Sequence, residues 1–419
     1  MKRKTLTLLI IKIYCILLLV TGFWLAFSQC NIASGVYAGS KVELNRIKGK
    51  DTLTVNGKPF IIKGVGLGVR GDREIFEVYF KLAKEMGVNS IRQWNAATNE
   101  QEILDLAEEY GLMINLGIWI NWNRSYKDKS EEQRKNIMLI VEKYKDHPAL
   151  LMWNVGNENI SKVQDEFEKN LLCRYLERIC QDIKKIDPNH PVSYTGNVKE
   201  SIKYFNNYMP SFDVYGFNSY GNINKVNQYI KDYGLRKPYL FSEFGPHGWW
   251  ETRKDANKQP KEPSNTQKAR QYLKNWHKYI EGRKRCLGGF AFILNDKYEG
   301  TKTWWGIVFS GKKTASFWAL REAYKGIKIP DDLPEITNFF ADKVSHIKPN
   351  STIRCAIKAR GHNLHFNFDA PKIGGASWDQ RGTEILYRVP AKKGVYFIYA
   401  IAEDNKGNIA TASKSISVR

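Results

Sequence analysis

The stretch Leu150-Leu151-Met152-Trp153-Asn154-Val155-Gly156-Asn157-Glu158 decides how the chain reads. It is a short apolar run of the kind that forms a strand buried on both faces, and it closes on a carboxylate. A second run, Pro238-Tyr239-Leu240-Phe241-Ser242-Glu243-Phe244-Gly245, closes the same way on Glu243. An unpaired buried charge is costly, so a glutamate at the end of such a strand has a partner or a task.

Working outward, six further runs join these two: Phe60–Val65, Ser90–Trp94, Met113–Trp119, Pro191–Thr195, Asp213–Asn218 and Gly289–Ile293. Helix-period segments separate them, among them Ile75–Met86 and Gln101–Tyr110, the latter stopped by Gly111. Eight strands alternating with helices predict an α/β fold of the (β/α)8 TIM-barrel type. No Gly-rich phosphate loop follows the first strand, which argues against a dinucleotide-binding sheet. Ahead of the barrel, Asn56-Gly57 between short β-type runs predicts a hairpin closing the bottom of the barrel. The barrel with this hairpin is expected over residues 39–324 and a Pro- and Asp-bearing linker over 325–335. From 336 to 419, short alternating segments punctuated by turns such as Asp404-Asn405-Lys406-Gly407-Asn408 predict a small immunoglobulin-like β-sandwich. It shows little exposed aromatic beyond Trp378 and reads as a spacer or as a domain packed on the barrel.

Residues 1–38 read as a signal peptide or membrane anchor. Met1-Lys2-Arg3-Lys4 is basic, and an apolar run to Phe27 follows, interrupted by Lys12. The uninterrupted part is shorter than the about 20 residues of a membrane span. Ser28 and Ala38 are candidate small residues before a cleavage site, and Cys30 is a poor lipidation candidate because Gln29 precedes it. Each reading places the bulk of the chain outside the cytoplasm, secreted, periplasmic or held at the envelope.

The formal charge is +22, from 65 Lys and Arg against 43 Asp and Glu. A Lys-rich solvated surface accounts for this, and attraction to an anionic polymer is the sharper alternative. Nucleic acid is not expected, because no Arg-rich arm or recognition module is present. Cys173 and Cys180 are seven residues apart on one predicted helix, about 10 Å and too far to bridge. Cys286 and Cys355 read as buried thiols, and no Cys/His spacing suggests a metal.

His147-Pro148-Ala149 followed by the run to Glu158 resembles the acid/base strand of retaining β-glycosidases of clan A, most closely the catalytic barrel of glycoside hydrolase family 2. Gly87-Val88-Asn89-Ser90-Ile91-Arg92 resembles that family's second strand, Asp213–Tyr220 its sixth, and Phe241–Gly245 its nucleophile strand. The resemblance implies Glu158 as general acid/base and Glu243 as nucleophile, with Asn157 on the sugar 2-hydroxyl, Tyr220 orienting Glu243 and Arg92 beneath it. Asn218 and Trp94 are further candidate substrate contacts. Two carboxylates at one barrel mouth suit glycosidic cleavage, and separation of about 5 Å goes with retention. Counting back by twos along each strand predicts that Phe241 and Tyr239 face the lumen with Glu243, and Gly156 and Asn154 with Glu158. No metal or organic cofactor is called for.

The chain departs from the family in places. The catalytic segment starts near residue 50, where family members usually carry sugar-binding domains first, and Phe292 stands where a tryptophan floor is expected. The twelve Trp and this short lead favour an oligo- or polysaccharide over a disaccharide. Trp249, Trp250, Trp304 and Trp305, adjacent pairs in polar loops, are expected at the cleft, whereas Trp119 and Trp153 are expected in the core. His247 is a candidate cleft residue, Asp296 a contact or a cap, and Lys302 a solvated lysine or a partner for an acidic sugar. The expected function is a secreted hydrolase acting by double displacement on a carbohydrate, neutral or anionic. A glucanosyltransferase with the same glutamates and a non-catalytic glycan-binding barrel are the alternatives.

Overall fold

Eight parallel strands close into a barrel in strict chain order. The computed structural model describes residues 39–69, 72–96, 100–123, 127–197 and 199–419; the expected signal peptide or anchor lies outside them. A three-stranded antiparallel sheet comes first: β1 (Val42–Ile47), β2 (Lys50–Val55) and β3 (Lys58–Phe60), the last two joined at Asn56-Gly57. The barrel strands follow as β4 (Ile62–Gly66), β5 (Ser90–Gln93), β6 (Met113–Ile118), β7 (Leu150–Asn157), β8 (Val192–Gly196), β9 (Val214–Ser219), β10 (Tyr239–Phe244) and β11 (Cys286–Ala291). Each pairs with the next and β11 pairs back to β4.

The intervening helices are amphipathic and capped. Helix α1 (Arg73–Met86) has Asp72 accepting from the Ile75 amide and ends at Gly87 in the left-handed region (φ 91°), which glycine adopts without a Cβ clash. It buries Phe76, Phe80, Ala83 and Met86, one face of a 3.6-residue repeat. The bottom of the barrel is sealed by Val42 and Leu53 of the N-terminal sheet against Leu151, Met152, Leu240 and Phe290. The expected hairpin is therefore present, extended by one strand.

The C-terminal strands form two antiparallel sheets. After a two-stranded ribbon, β12 (Val308–Phe309) and β13 (Lys312–Lys313), come β14 (Glu335–Ala341), β15 (Thr352–Arg360), β16 (His365–Asp369), β17 (Ser377–Arg381), β18 (Glu384–Arg388), β19 (Gly394–Glu403) and β20 (Ile409–Val418). One sheet has the order β14-β15-β18-β17 and the other β16-β19-β20, the partition of a seven-stranded immunoglobulin sandwich. Strands β14 and β17 escape the sequence pattern: β14 carries a register shift between Ile336 and Asn338, and β17 is Ser-Trp-Asp-Gln-Arg with no apolar alternation.

Sandwich and barrel belong to one compact unit, Gly39–Arg419. Asn257 donates to the carbonyls of Val344 and Ser415 at 2.9 and 3.1 Å. The Glu262 carboxylate accepts from Lys268 at 2.5 Å and from the Ser413 hydroxyl at 2.6 Å. Lys302 faces neither solvent nor the cleft: it pairs with Asp369 and lies 4.3 Å from the centroid of Tyr399. Among the described residues no helix is long and apolar enough to cross a membrane. Cys173, Cys180 and Cys355 are buried free thiols, whereas Cys286 is partly exposed.

Candidate active site

Both glutamates reach the barrel mouth through breaks in strand regularity. In β10, Tyr239, Phe241 and Phe244 pack outward in the main core, while Leu240 belongs to the plug at the bottom. Ser242 and Glu243 then both turn to the site, across a register shift between Phe241 and Glu243. In β7 the register against β8 shifts between Asn154 and Asn157. Gly156 has φ 82° and Glu158 φ 58°, so Asn157 and Glu158 present consecutive side chains to the same cleft. The two-residue count thus fails in β10, where Phe241 and Tyr239 face away from the lumen because a bulge adds a residue before Glu243. In β7 it holds for Asn154, which faces the lumen with Glu158, its oxygen 3.5 Å from Arg92. A left-handed non-glycine residue costs roughly 1–3 kcal/mol and persists only where its surroundings hold it. Here the Glu158 amide donates to the Thr195 carbonyl at 2.9 Å and its carbonyl accepts from the Ser161 hydroxyl at 2.8 Å.

The Glu243 carboxylate is held by three donors. Arg92 Nη1 (2.6 Å) and Trp94 Nε1 (2.8 Å) donate to Oε1, and the Tyr220 hydroxyl (2.6 Å) donates to Oε2. Arg92 is wholly buried and also donates to the Ser242 carbonyl at 3.1 Å and to Asn157 Oδ1 at 2.8 Å. Its guanidinium lies 4.8 Å from the Trp94 ring centroid. That ring passes so close to β4 that a Cβ on Gly66 would sit 2.4 Å from it; glycine is required there for close approach.

Glu158 has a different setting. Asn218 Nδ2 donates to its Oε1 at 2.6 Å, and the Asn218 amide is fixed in that sense because its oxygen accepts from the Ser242 hydroxyl at 2.9 Å. Burial, reinforced by the Glu243 charge, pushes the Glu158 carboxyl above its usual range, against the opposing effects of Asn218, Lys162 and Arg92. Burial pushes the Tyr220 hydroxyl well above its usual value, and the Glu243 charge beside it adds to this, so Tyr220 acts as a donor. One carboxylate solvated by three donors and a second whose proton is bound more tightly than usual is an arrangement suited to nucleophilic attack with proton donation.

The cleft above them measures about 920 Å³ and is lined by Trp94, Asn157, Glu158, Asn218, Tyr220 and Glu243. Eight of the twelve candidate residues converge there or directly beneath it: these six, Trp250, and Arg92 below. Trp250 is half exposed and edge-on to Tyr220. Trp249 stands behind, exposed, with its indole nitrogen 3.4 Å from Glu299. His247 is turned away, its ring beside Glu251 at 3.8 Å and its carbonyl accepting from Trp304. Trp304 and Trp305 are not cleft residues. Both are under 3% exposed and pack beneath Tyr220 and Phe292; a tryptophan pair in a polar loop can as well be the loop's own core. Phe292, at the floor position, sits edge-on to both Trp94 and Tyr220.

The opposite correction applies to Trp119. It is 40% exposed and lines the cleft, although its place at the end of an apolar run reads as core. Other lining residues carried little signal in the sequence: Asn197, Asn222, Glu251, Asn295, Lys297, Tyr298 and Glu299. Asp296 both lines the cleft and accepts from the Ser310 amide at 3.0 Å.

Fold and site together define a (β/α)8 barrel presenting two glutamates at its C-terminal mouth. Residues 46–285, more than half of the chain, match the model described as "Glycosyl hydrolases family 2, TIM barrel domain", and the chain belongs to that family. The β-glucuronidase of Rattus norvegicus is 26% identical over 217 residues, 47% of this chain and 32% of that protein. That of Mus musculus is 28% identical over the same length, covering 48% and 31%. The matched part thus spans about a third of these curated relatives. Among solved structures, a β-glucuronidase of Bacteroides uniformis aligns with TM-score 0.53 at 16% identity, covering 91% of this chain and 48% of that one. A β-galacturonidase of Eisenbergiella tayi bound to galacturonate gives TM-score 0.53 at 17% identity, covering 69% and 55%. At these identities the structural likeness speaks for the fold.

Proposed function

We propose that the protein is a retaining β-glycoside hydrolase acting on an oligo- or polysaccharide outside the cytoplasm. The observation that carries this is the asymmetry of the two carboxyls: Glu243 accepts from Arg92, Trp94 and Tyr220, while burial and the Glu243 charge raise Glu158. In the first step a Glu243 oxygen attacks the anomeric carbon as Glu158 gives its proton to the departing glycosidic oxygen. In the second, Glu158 takes a proton from water, the water oxygen attacks the same carbon, and the bond to Glu243 breaks. Asn157, whose oxygen is engaged by Arg92 and Asn218, has its amide hydrogens left for a sugar hydroxyl. The relatives' printed activities make a uronic acid one candidate sugar. Among the described residues the cleft carries Glu251, Asp296 and Glu299 against Lys297, which favours a neutral one.

The test is intact-mass spectrometry after incubation with activated 2-fluoro sugars of gluco, galacto, manno and glucurono configuration, with Glu243→Gln as control. One adduct per chain, mapped to Glu243, is expected. Labelling elsewhere, or equal labelling of the variant, would overturn the assignment. A transglycosylase gives the same adduct, but an acceptor sugar in place of water then discharges it.

A further inference from the structure

Trp119 has no task in the mechanism above, yet it is built as a platform. It stands just past β6, and its neighbour Ile118 pairs with Val155 on the strand that carries Glu158. A tryptophan 40% exposed at a barrel mouth leaves an apolar face in water unless something covers it. Its orientation is fixed: Nε1 donates to Asn121 Oδ1 at 2.9 Å, and the Lys162 ammonium lies 5.4 Å from the ring centroid, within cation–π range.

The loop that carries Trp119 is tied to the one that carries Glu158. Asn159, 7% exposed, donates from Nδ2 to the Ile120 carbonyl at 2.9 Å and accepts at Oδ1 from the Asn157 amide at 2.8 Å. One side chain therefore holds Trp119 and Glu158 in register. On the other side of the cleft, Trp94, Tyr220 and Phe292 gather around Glu243. A proton donor must stand beside the glycosidic oxygen, so the sugar attached to Glu243 occupies that enclosed side. A departing sugar that lies past Glu158 on the side of β6 comes over Trp119, which lines the cleft there.

We infer that Trp119 is the floor of a second sugar-binding position, stacking the apolar face of the departing sugar ring and of an acceptor sugar that enters in its place. This rests on the retaining-glycosidase reading and adds to it a site for the leaving group. It asks that the ring contribute to substrates with a sugar leaving group and little to those without one.

The experiment compares kcat/KM for β-glucosyl and β-galactosyl fluoride, whose leaving group has no ring, with cellobiose and lactose. Wild type, Trp119→Ala and Trp119→Phe are measured. The disaccharide-to-fluoride ratio should fall at least tenfold in Trp119→Ala and recover most of that in Trp119→Phe. An equal fall on both substrate types, or an unchanged ratio, would overturn the inference. Quenching of tryptophan fluorescence by cellobiose, lactose and their longer homologues gives a readout without turnover. Undiminished quenching in Trp119→Ala overturns the inference as well. Failure of the underlying reading shows separately, as wild-type protein that forms no Glu243 adduct.

Discussion

Replacing Arg92 by Met and Glu243 by Gln, singly and together, measures the pair at the centre of the site. Arg92 has no exposed surface, and Glu243 is 7% exposed. Removing one partner of a buried ion pair costs about 3–5 kcal/mol, because the other charge is left uncompensated. In Arg92→Met the carboxylate keeps Trp94 and Tyr220 as neutral donors, which places the loss at the lower end, about 3 kcal/mol. In Glu243→Gln the guanidinium keeps the Ser242 carbonyl and the Asn157 oxygen, so the loss is again about 3 kcal/mol. The double variant buries no charge at this point. Its loss should stay near that of either single variant, an interaction energy of about 2–3 kcal/mol in the double-mutant cycle. Urea unfolding of the four proteins at neutral pH, followed by tryptophan fluorescence with unchanged m-values, supplies the numbers. Additivity within about 0.5 kcal/mol would refute the reasoning, since it would mean that each charge is accommodated without the other.

Tyr220→Phe deletes the donor to Glu243 Oε2; a hydrogen bond to a charged group is worth about 1.5–3 kcal/mol, so the rate of 2-fluoro sugar labelling, read as a mass time course, should fall about 10- to 100-fold. Glu158 is raised by burial and by the Glu243 charge, so the folded protein keeps a proton that the unfolded chain loses, and this contribution to stability declines as pH rises through that window. Glu158→Gln should therefore melt higher than wild type at neutral pH and gain less below the ordinary carboxyl range, as thermal scans against pH will show. Trp304→Ala and Trp305→Ala should each lose about 3–5 kcal/mol in urea unfolding, where a pure cleft residue would change kinetics and leave stability alone. Burial alone would raise Glu262, but Lys268 and the Ser413 and Thr301 hydroxyls bring it below its usual value; the stability it supplies is present above the unfolded-state value and lost as pH falls through the depressed one. Glu262→Gln should accordingly be less stable at neutral pH and show a shallower acid loss in the same scans.

The barrel was legible because its strands are continuous apolar runs bounded by helix signals, and the strands observed overlap the predicted stretches, with ends displaced by a few residues. The glutamates were legible because each closes such a run. What stayed hidden depended on neighbours distant in sequence. Trp119 and Trp305 are both tryptophans next to apolar residues, yet Trp305 is covered by Tyr220 and Phe292 whereas Trp119 is exposed at the cleft. Asn159 reads as an ordinary polar residue after Glu158, and only the Ile120 carbonyl, on another strand's loop, reveals its bridging role. Lys302 reads as a solvated lysine until Asp369 and Tyr399 of the sandwich are placed beside it.

The failure of the two-residue count along β10, and at Asn157 in β7, bears directly on how the site is made. Regular strands would give each one inward residue in two, so Ser242 with Glu243, or Asn157 with Glu158, would never share a face. The site requires both members of each pair: Ser242 orients Asn218, which holds Glu158, and Asn157 joins Arg92, which holds Glu243. The bulge in each strand therefore closes a loop of contacts through which the two carboxyls are positioned by each other's strands. A substitution that restores regularity, such as Gly156→Ala at φ 82°, should strain the turn and displace Glu158 while leaving the Glu243 donors in place. The adduct would then form from a fluoride far better than from a substrate whose leaving group needs a proton, and equal impairment on both would argue that the bulge serves folding alone.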